Sequence, residues 1–462
     1  KDDSEETIDM DTIAGMTSFA VKTFANSNSG QDAPPKKVGL SLRQAVTAMV
    51  INCVGAGVVL LPKVMADVGM LTAPLLCIIC ASACLECGIM ICTGCKIAEQ
   101  MHSAPVCNYE ALATIVGGPF WKKVLVVTKN FAFMGFLIAY MQFTVDNLAI
   151  LTPGEGARKL MLIRFAVVFP VFTGLAMVTN LKQLARFSSV GIAAVAVECL
   201  CIMAGGLWLA PSLAECPLRG RFGPPPPPCA APGGCPPRCP HYSLLPHGPP
   251  SAWPGPLGVC TAIFLFSFAV LATVPSMRSQ LADPSQMHAV LSVSFRIIGA
   301  IYCAVMLLGY LALGSRTPDN VITFMAADSP ALGVVASAAM IVNILVSTPL
   351  LTYCVISVFE ASGRRSVHKS MTLPNQAARC MFILALNVVG CLLPYVLEVI
   401  GLVSSVFSCG NNIFFPCLFH VLSRRTINVK PAYPRWRRVK YSGTLVIGVC
   451  VLIFGVQGSL QK

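Results

Sequence analysis

Apolar runs of roughly 20 residues recur along this chain, and runs of that length leave it one solvent in which to fold. Each can cross ~30 Å of hydrocarbon as a helix, where every backbone N–H and C=O must find its partner inside the segment. Continuous runs match helices rather than the alternating strands of a membrane barrel. Charged residues supply only 11% of the 462 positions and hydrophobic residues 55%, against roughly 25% charged in a soluble domain. The sequence therefore predicts an all-α integral membrane protein with about 11 transmembrane helices. They fall near residues 43–66, 70–95, 121–150, 161–180, 187–210, 257–277, 290–314, 331–359, 378–398, 399–422 and 440–459. Between the ninth and tenth, Leu393-Pro394-Tyr395 and Glu398 must turn the chain within a few residues.

The basic residues orient these spans. With the N-terminus inside, 23 of the 33 Lys and Arg fall on cytoplasmic segments and nine on the opposite side, with Lys129 inside the third span. That is the bias expected of a chain with its N-terminus in the cytoplasm and an odd number of spans. It also accounts for the net charge of +13, so no nucleic-acid partner is expected.

Residues 1–38 form a separate segment. Asp2, Asp3, Glu5, Glu6, Asp9 and Asp11 make its start acidic, and the stretch to Pro34-Pro35 is too poor in apolar residues to build a core; a disordered cytoplasmic tail is expected. No secretory signal precedes the first span, and the chain does not begin with Met, which fits a chain that starts downstream of its natural beginning. The transmembrane domain is then 39–462, interrupted by a Pro/Gly/Cys-rich non-cytoplasmic loop at 211–256. That composition suits an extended, mobile low-complexity insertion. Cys216, Cys229, Cys235 and Cys239 could pair there, and their spacing with His241 matches no compact zinc pattern. Cysteines inside the spans, such as Cys77, Cys80 and Cys84, read as small hydrophobes.

The first span carries the most specific signal. Gly55-Ala56-Gly57 and Pro62 interrupt an otherwise continuous apolar run over residues 48–62. Non-helical backbone at membrane depth survives only where it lines a cavity or binds something. Two glycines free the chain from helical geometry and bare its amides; the bland alternative is close helix packing by small residues.

At this point the chain resembles the amino acid/auxin permease family over nearly all of residues 40–460. The resemblance is carried by Asn52, Gly55, Ala56, Gly57, Leu60, Leu61 and Pro62 in the first span, and by Gly135 to Tyr140 with Asp146-Asn147 in the third. Asn180 to Leu184 with Ser188, and Pro275 followed by Asp283-Pro284, complete the order. The resemblance implies a five-plus-five inverted repeat (LeuT-like) with an additional C-terminal helix, and a secondary active transporter of amino acids working by alternating access. Substrate would sit between broken first and sixth spans, its carboxylate on the amides of Gly55, Ala56, Gly57 and Val58 beside Asn52. Phe264, Phe266 and Phe268 would wall the side-chain pocket, Ser267 or a freed carbonyl would take the ammonium, and Tyr140 would gate or line the pocket. Phe268-Ala269 carries no glycine where a break is expected, and the same aromatics could instead pack as core.

No cofactor is expected; the coupling ion is H+ or Na+. Sodium would use carbonyls at Cys53 and Val54 with hydroxyls of Ser347 and Thr348, since hard cations want oxygen ligands. The Ser and Thr before Pro349 could also just satisfy backbone freed by the kink. A proton would need Glu86 or Glu198, carboxyls at membrane depth. Lys129 could snorkel or pair with a carboxylate. The six His show no metal spacing and no nucleophile motif beside them, so an enzyme is not predicted. A membrane amino-acid sensor reporting through the acidic tail, or an ion channel on the same helical scaffold, are the competing functions. The partners expected are an amino acid and the lipid bilayer, in a plasma membrane or a vacuolar or lysosomal one.

Overall fold

The computed structural model of the chain describes residues 40–102, 106–152, 154, 156–178, 181–209, 242–247, 249–362, 373–393, 396–426 and 435–461. The N-terminal tail and most of the Pro-rich loop, with its four cysteines, lie outside them. Among the described residues, ten helices are long and apolar enough to cross a membrane. They coincide with the second to eleventh expected spans. The first is missing from that count because it is broken: α1 (Leu42–Cys53) and α2 (Leu61–Val68) are each too short alone and are joined by a 3-10 run, Ala56–Leu60.

The second span is α3 (Thr72–His102). The third is α4 (Tyr109–Leu151), which Gly118 and Pro119 divide into a leading segment and the span proper. The fourth is α5 (Ala157–Leu162) and α6 (Phe169–Ala176), joined by a wider turn; the fifth is α7 (Leu181–Leu209). The sixth is again two pieces, α8 (Pro254–Ser267) and α9 (Val274–Gln280). Then come α10 (Met287–Leu313), a short α11 (Val321–Asp328), α12 (Pro330–Ser362) and α13 (Leu373–Leu392) as spans seven to nine with their connection. The tenth runs from α14 (Val396–Val403) to α15 (Phe415–Thr426), and the eleventh from α16 (Arg435–Cys450) to α17 (Val456–Leu460). The turn between spans nine and ten falls a few residues earlier than the hydropathy suggests, because α13 already stops at Leu392.

Charges inside this bundle are mostly paired. Lys129 of the third span, half-buried, meets the buried Glu110 of the segment before Gly118, so the intramembrane lysine is a structural partner brought back by the kink. Glu86 of the second span is 2.7 Å from Lys440 at the start of the eleventh. Where the chain enters the first span, Leu40 exchanges backbone hydrogen bonds with Gln280 and Ala282 at the exit of the sixth. One turn before that exit, Arg278 grips Glu99 of α3 with both guanidinium nitrogens, at 2.6 and 2.8 Å. A bidentate pair of this kind has fixed geometry as well as charge.

At the other end of the first span, Gly69 stops α2 at φ 91°. A short piece of the long loop docks there: Met70 and Leu71 donate backbone hydrogen bonds to Ser243 and Leu244. A Cβ on Gly69 would stand 2.6 Å from the Leu244–Leu245 backbone. The end of the loop is thus anchored to the turn between spans one and two. Gly69→Ala adds both a strained φ and a backbone clash, and left-handed strain on a non-glycine costs about 1–3 kcal/mol. We expect a melting temperature several degrees below wild type in detergent; an unchanged melting curve contradicts this docking.

Candidate functional site

The two interruptions face each other. In the first span, α1 ends at Cys53 and the chain runs extended through Gly55 (φ −122°, ψ −159°) before the 3-10 run begins. The first intrahelical bond of the new segment is from Val58 N–H to Gly55 O, at 3.1 Å. No side chain caps that start. The geometry of a helix start therefore leaves the Ala56 and Gly57 N–H groups without intrahelical acceptors, and the local dipole favours an anion there.

The glycines do different work. Nothing lies within 4 Å of where a Cβ of Gly55 would stand, and Asn52 beside it is exposed, so this side of the break borders open space. A Cβ on Gly57 would meet Phe266 and the Ser267 hydroxyl at 3.0 Å. Gly57 thus admits the sixth span to close approach. Val58, one residue on, is buried.

The sixth span breaks without a glycine. Helix α8 ends at Ser267, Phe268 takes φ −96° and ψ 20°, and Ala269 N–H turns back to Phe266 O. These are turn values open to any residue. The turn deprives the Leu265 and Ser267 carbonyls of their helical partners, and an orphan carbonyl at membrane depth costs several kcal/mol. Other spans supply donors. Asn412, in the tenth span, donates Nδ2–H to Leu265 O at 2.8 Å. The Tyr302 hydroxyl of α10 lies 2.7 Å from Ser267 O and 2.9 Å from Cys53 O, with one proton to share between them, and the Cys53 thiol also donates to Ser267 O. The Ser267 hydroxyl is buried with no partner.

Aromatic rings close the site. Phe266 meets Phe136 of the third span edge-on at 4.4 Å, and Phe268 packs on Tyr302 and Phe295. Tyr140 is half-buried one turn beyond Phe136. Phe264 is fully buried in α8 and belongs to the core. The structure therefore gathers Cys53, Gly57, Phe266, Ser267 and Phe268 around one junction, with Gly55 and Asn52 on its open side and Tyr140 on the wall.

Among the residues named for ion coupling, Thr348 is buried and donates to Ile344 O at 2.7 Å, satisfying backbone within its own helix. Ser347 is half-buried, and Val54 is buried at the end of α1. Glu198 of α7 is fully buried; neither oxygen has a hydrogen bond, and Asn343 of α12 sits beside it outside hydrogen-bond geometry. The carboxyl is near enough to act electrostatically on Tyr140.

Tyr302 and Asn412 were not singled out by sequence, and Phe136 was part of the Gly135 to Tyr140 stretch without being given a role. Amides at membrane depth are rare, so Asn411-Asn412 in the tenth span carried a signal; a tyrosine in an apolar span, which must find a partner for its hydroxyl when buried, was the other.

Two broken helices that face each other, the first and the sixth spans, are the mark of a membrane protein of the LeuT-like fold. The solved structure of MhsT in complex with L-phenylalanine has the same fold, with a TM-score of 0.55 over 93% of this chain and all of that one, at 13% identity. The family model described as transmembrane amino acid transporter protein matches residues 39–209 and 257–461, so the chain belongs to that family. The gap between the two matches is the Pro-rich loop. Relatives include amino acid transporter AVT3C of Arabidopsis thaliana, 24% identical over 43% of each chain. The vesicular GABA transporter of Caenorhabditis elegans is 22% identical over 45% of this chain and 43% of its own. The matched stretches thus span less than half the length of these relatives.

The junction is testable through its capping hydroxyl. Tyr302→Phe keeps the ring and removes the donor, and an unsatisfied buried polar group costs about 1–3 kcal/mol. A melting temperature lower by several degrees is expected. Equal stability of wild type and variant contradicts the capping role.

Proposed function

We propose that this protein is a secondary active transporter of amino acids, taking its substrate between the broken first and sixth spans. The observation that carries the reading is the junction itself: uncapped N–H groups at Ala56 and Gly57, with open space at Gly55, opposite a sixth span broken at Ser267. A carboxylate leaving water needs donors aimed at it, and a helix start supplies N–H groups and dipole together. Asn52, Gly55 and Val58 flank that position. The Ser267 hydroxyl, buried and without a partner, is the acceptor for the substrate ammonium, and Phe266, Phe268 and Tyr140 bound the side-chain pocket. The printed names of the relatives, amino acid and GABA transporters, agree on substrates that carry both groups.

Alternating access follows from the same parts. With the N-terminus in the cytoplasm, as the basic residues indicate, the Leu40 backbone pairing and the Arg278–Glu99 pair close the cytoplasmic side and must separate for release there.

For coupling, a proton fits better than sodium. Glu86 is taken up by Lys440, whereas Glu198 is a fully buried carboxyl with no opposite charge in contact, and an unpaired intramembrane carboxyl is the residue type that carries protons across. A sodium ion would have to share Cys53 O with the Tyr302 hydroxyl that already donates to it. A plasma membrane or a vacuolar or lysosomal membrane would serve equally as the setting for a proton gradient.

Purified protein in liposomes tests both levels. Uptake of labelled amino acids should appear in wild type and be lost in Gly57→Leu, which pushes a side chain into Phe266 and Ser267; persistent uptake in the inserted variant refutes the site. Glu198→Gln should abolish uptake driven by an imposed pH gradient while keeping exchange of amino acid for amino acid. If a sodium gradient alone drives wild-type uptake, the proton assignment fails.

A further inference from the structure

The Pro-rich loop lies in the gap between the two stretches that match the family, yet part of it is firmly placed against the spans. Tyr242 is buried, and its ring meets Tyr310 of α10 edge-on at 5.6 Å. Its hydroxyl donates to Leu311 O at 2.7 Å, and the Ser243 N–H donates to the Tyr310 hydroxyl at 3.0 Å. On the other side, Met70 and Leu71 donate their N–H groups to Ser243 O at 2.8 Å and Leu244 O at 3.2 Å. Residues 242–244 therefore bridge the turn between the first two spans to the end of the seventh. The same chain then runs on into the sixth span at Pro254.

The groups that hold this bridge are the ones helix ends leave over. Met70 and Leu71 lead into α3, where N–H groups have no acceptor one turn back, and Leu311 is in the last turn of α10, where carbonyls have no donor one turn on. One short segment caps the start of one span and the end of another. Outside the hydrocarbon, water offers those groups the same bonds, so the docking is exchangeable in a way that the caps at the mid-membrane junction are not.

Beneath the bridge lies the outer half of the first span. The chain from Ala56 to Val68 is helical throughout, with the bared amides at its start and Gly69, pressed on the Leu244 backbone, just past its end. Its Pro62 lies against α10 at Gly309, where a Cβ would stand 2.5 Å from the proline ring. Gly309 is the residue before Tyr310, so the contact that the bridge makes on the seventh span adjoins the contact that α2 makes there.

We infer that residues 242–244 are a built-in strap: docked, it holds α2 against the seventh span and keeps the non-cytoplasmic side shut, and released, it lets α2 move away. The loop is then a working part of the protein. The sense of opening rests on the reading of Ala56 and Gly57 as the substrate site; the mechanical link from strap to α2 does not.

Hydrogen exchange of the full chain in detergent, read by mass spectrometry, tests that link. Tyr242→Ala should speed exchange at residues 70–71 at least tenfold and across 58–65 several-fold, while α4, which the strap does not touch, exchanges as in wild type. Tyr242→Phe, which loses only the bond to Leu311, should give the same pattern more weakly. Unchanged exchange at 70–71 overturns the docking, and faster exchange there with 58–65 unchanged reduces the strap to a local cap and overturns the inference. In liposomes, Tyr242→Phe should lower the KM for an amino acid offered on the non-cytoplasmic side several-fold, because more of the protein is open to it; an unchanged KM overturns the sense of opening. Strap-dependent exchange in a protein that moves no amino acid would support the link and count against the transport reading alone.

Discussion

The Tyr302 hydroxyl, set between the carbonyls of Cys53 and Ser267, is the contact on which the centre of this membrane protein depends. Each broken helix sheds hydrogen bonds in a medium that offers none in return. One hydroxyl at the crossing, helped by the Cys53 thiol and by Asn412 from the tenth span, restores acceptable partners to the carbonyl side of both breaks. The amide side is left open at Ala56 and Gly57. The asymmetry follows: the carbonyls are capped by protein, and the N–H groups of Ala56 and Gly57 have no intrahelical acceptor.

Around that centre the charged side chains act as ties between spans. Lys129 with Glu110 fixes the third span to its own leading segment, Lys440 with Glu86 holds the eleventh to the second, and Arg278 with Glu99 joins the sixth to the second. Each tie carries its charge in partial burial with a direct partner, the condition under which such pairs hold position. Glu198 and Arg164 break that pattern. Among the described residues, both are buried with no opposite charge within ion-pair distance.

Much of the architecture was legible in the sequence, for physical reasons that can be named. Apolar length alone places ten spans, since a helix in hydrocarbon satisfies its own backbone, and the glycines at 55 and 57 flag the break in the first. The sixth-span break was expected only through family resemblance, because a turn through Phe268 at negative φ needs no glycine and leaves no local mark. Its support comes from Tyr302 and Asn412, which lie 35 and 147 residues from the carbonyls they cap. Pairings such as Lys129 with Glu110 depend on the φ of 81° at Gly118, a local event that hydropathy averages away. What a residue does alone could be read; which distant residue answers it could not.

The central claim is that the bared amides of the first span recognise a carboxylate. Competition against a transported amino acid, measured in liposomes with its carboxamide and its decarboxylated amine as rivals, addresses it directly. The account predicts that the parent amino acid competes and that both rivals, lacking the negative charge, fail by two orders of magnitude or so, an effect of about 2.7 kcal/mol. Rivals that compete as well as the parent would place recognition elsewhere in the molecule and contradict the site built on Ala56 and Gly57.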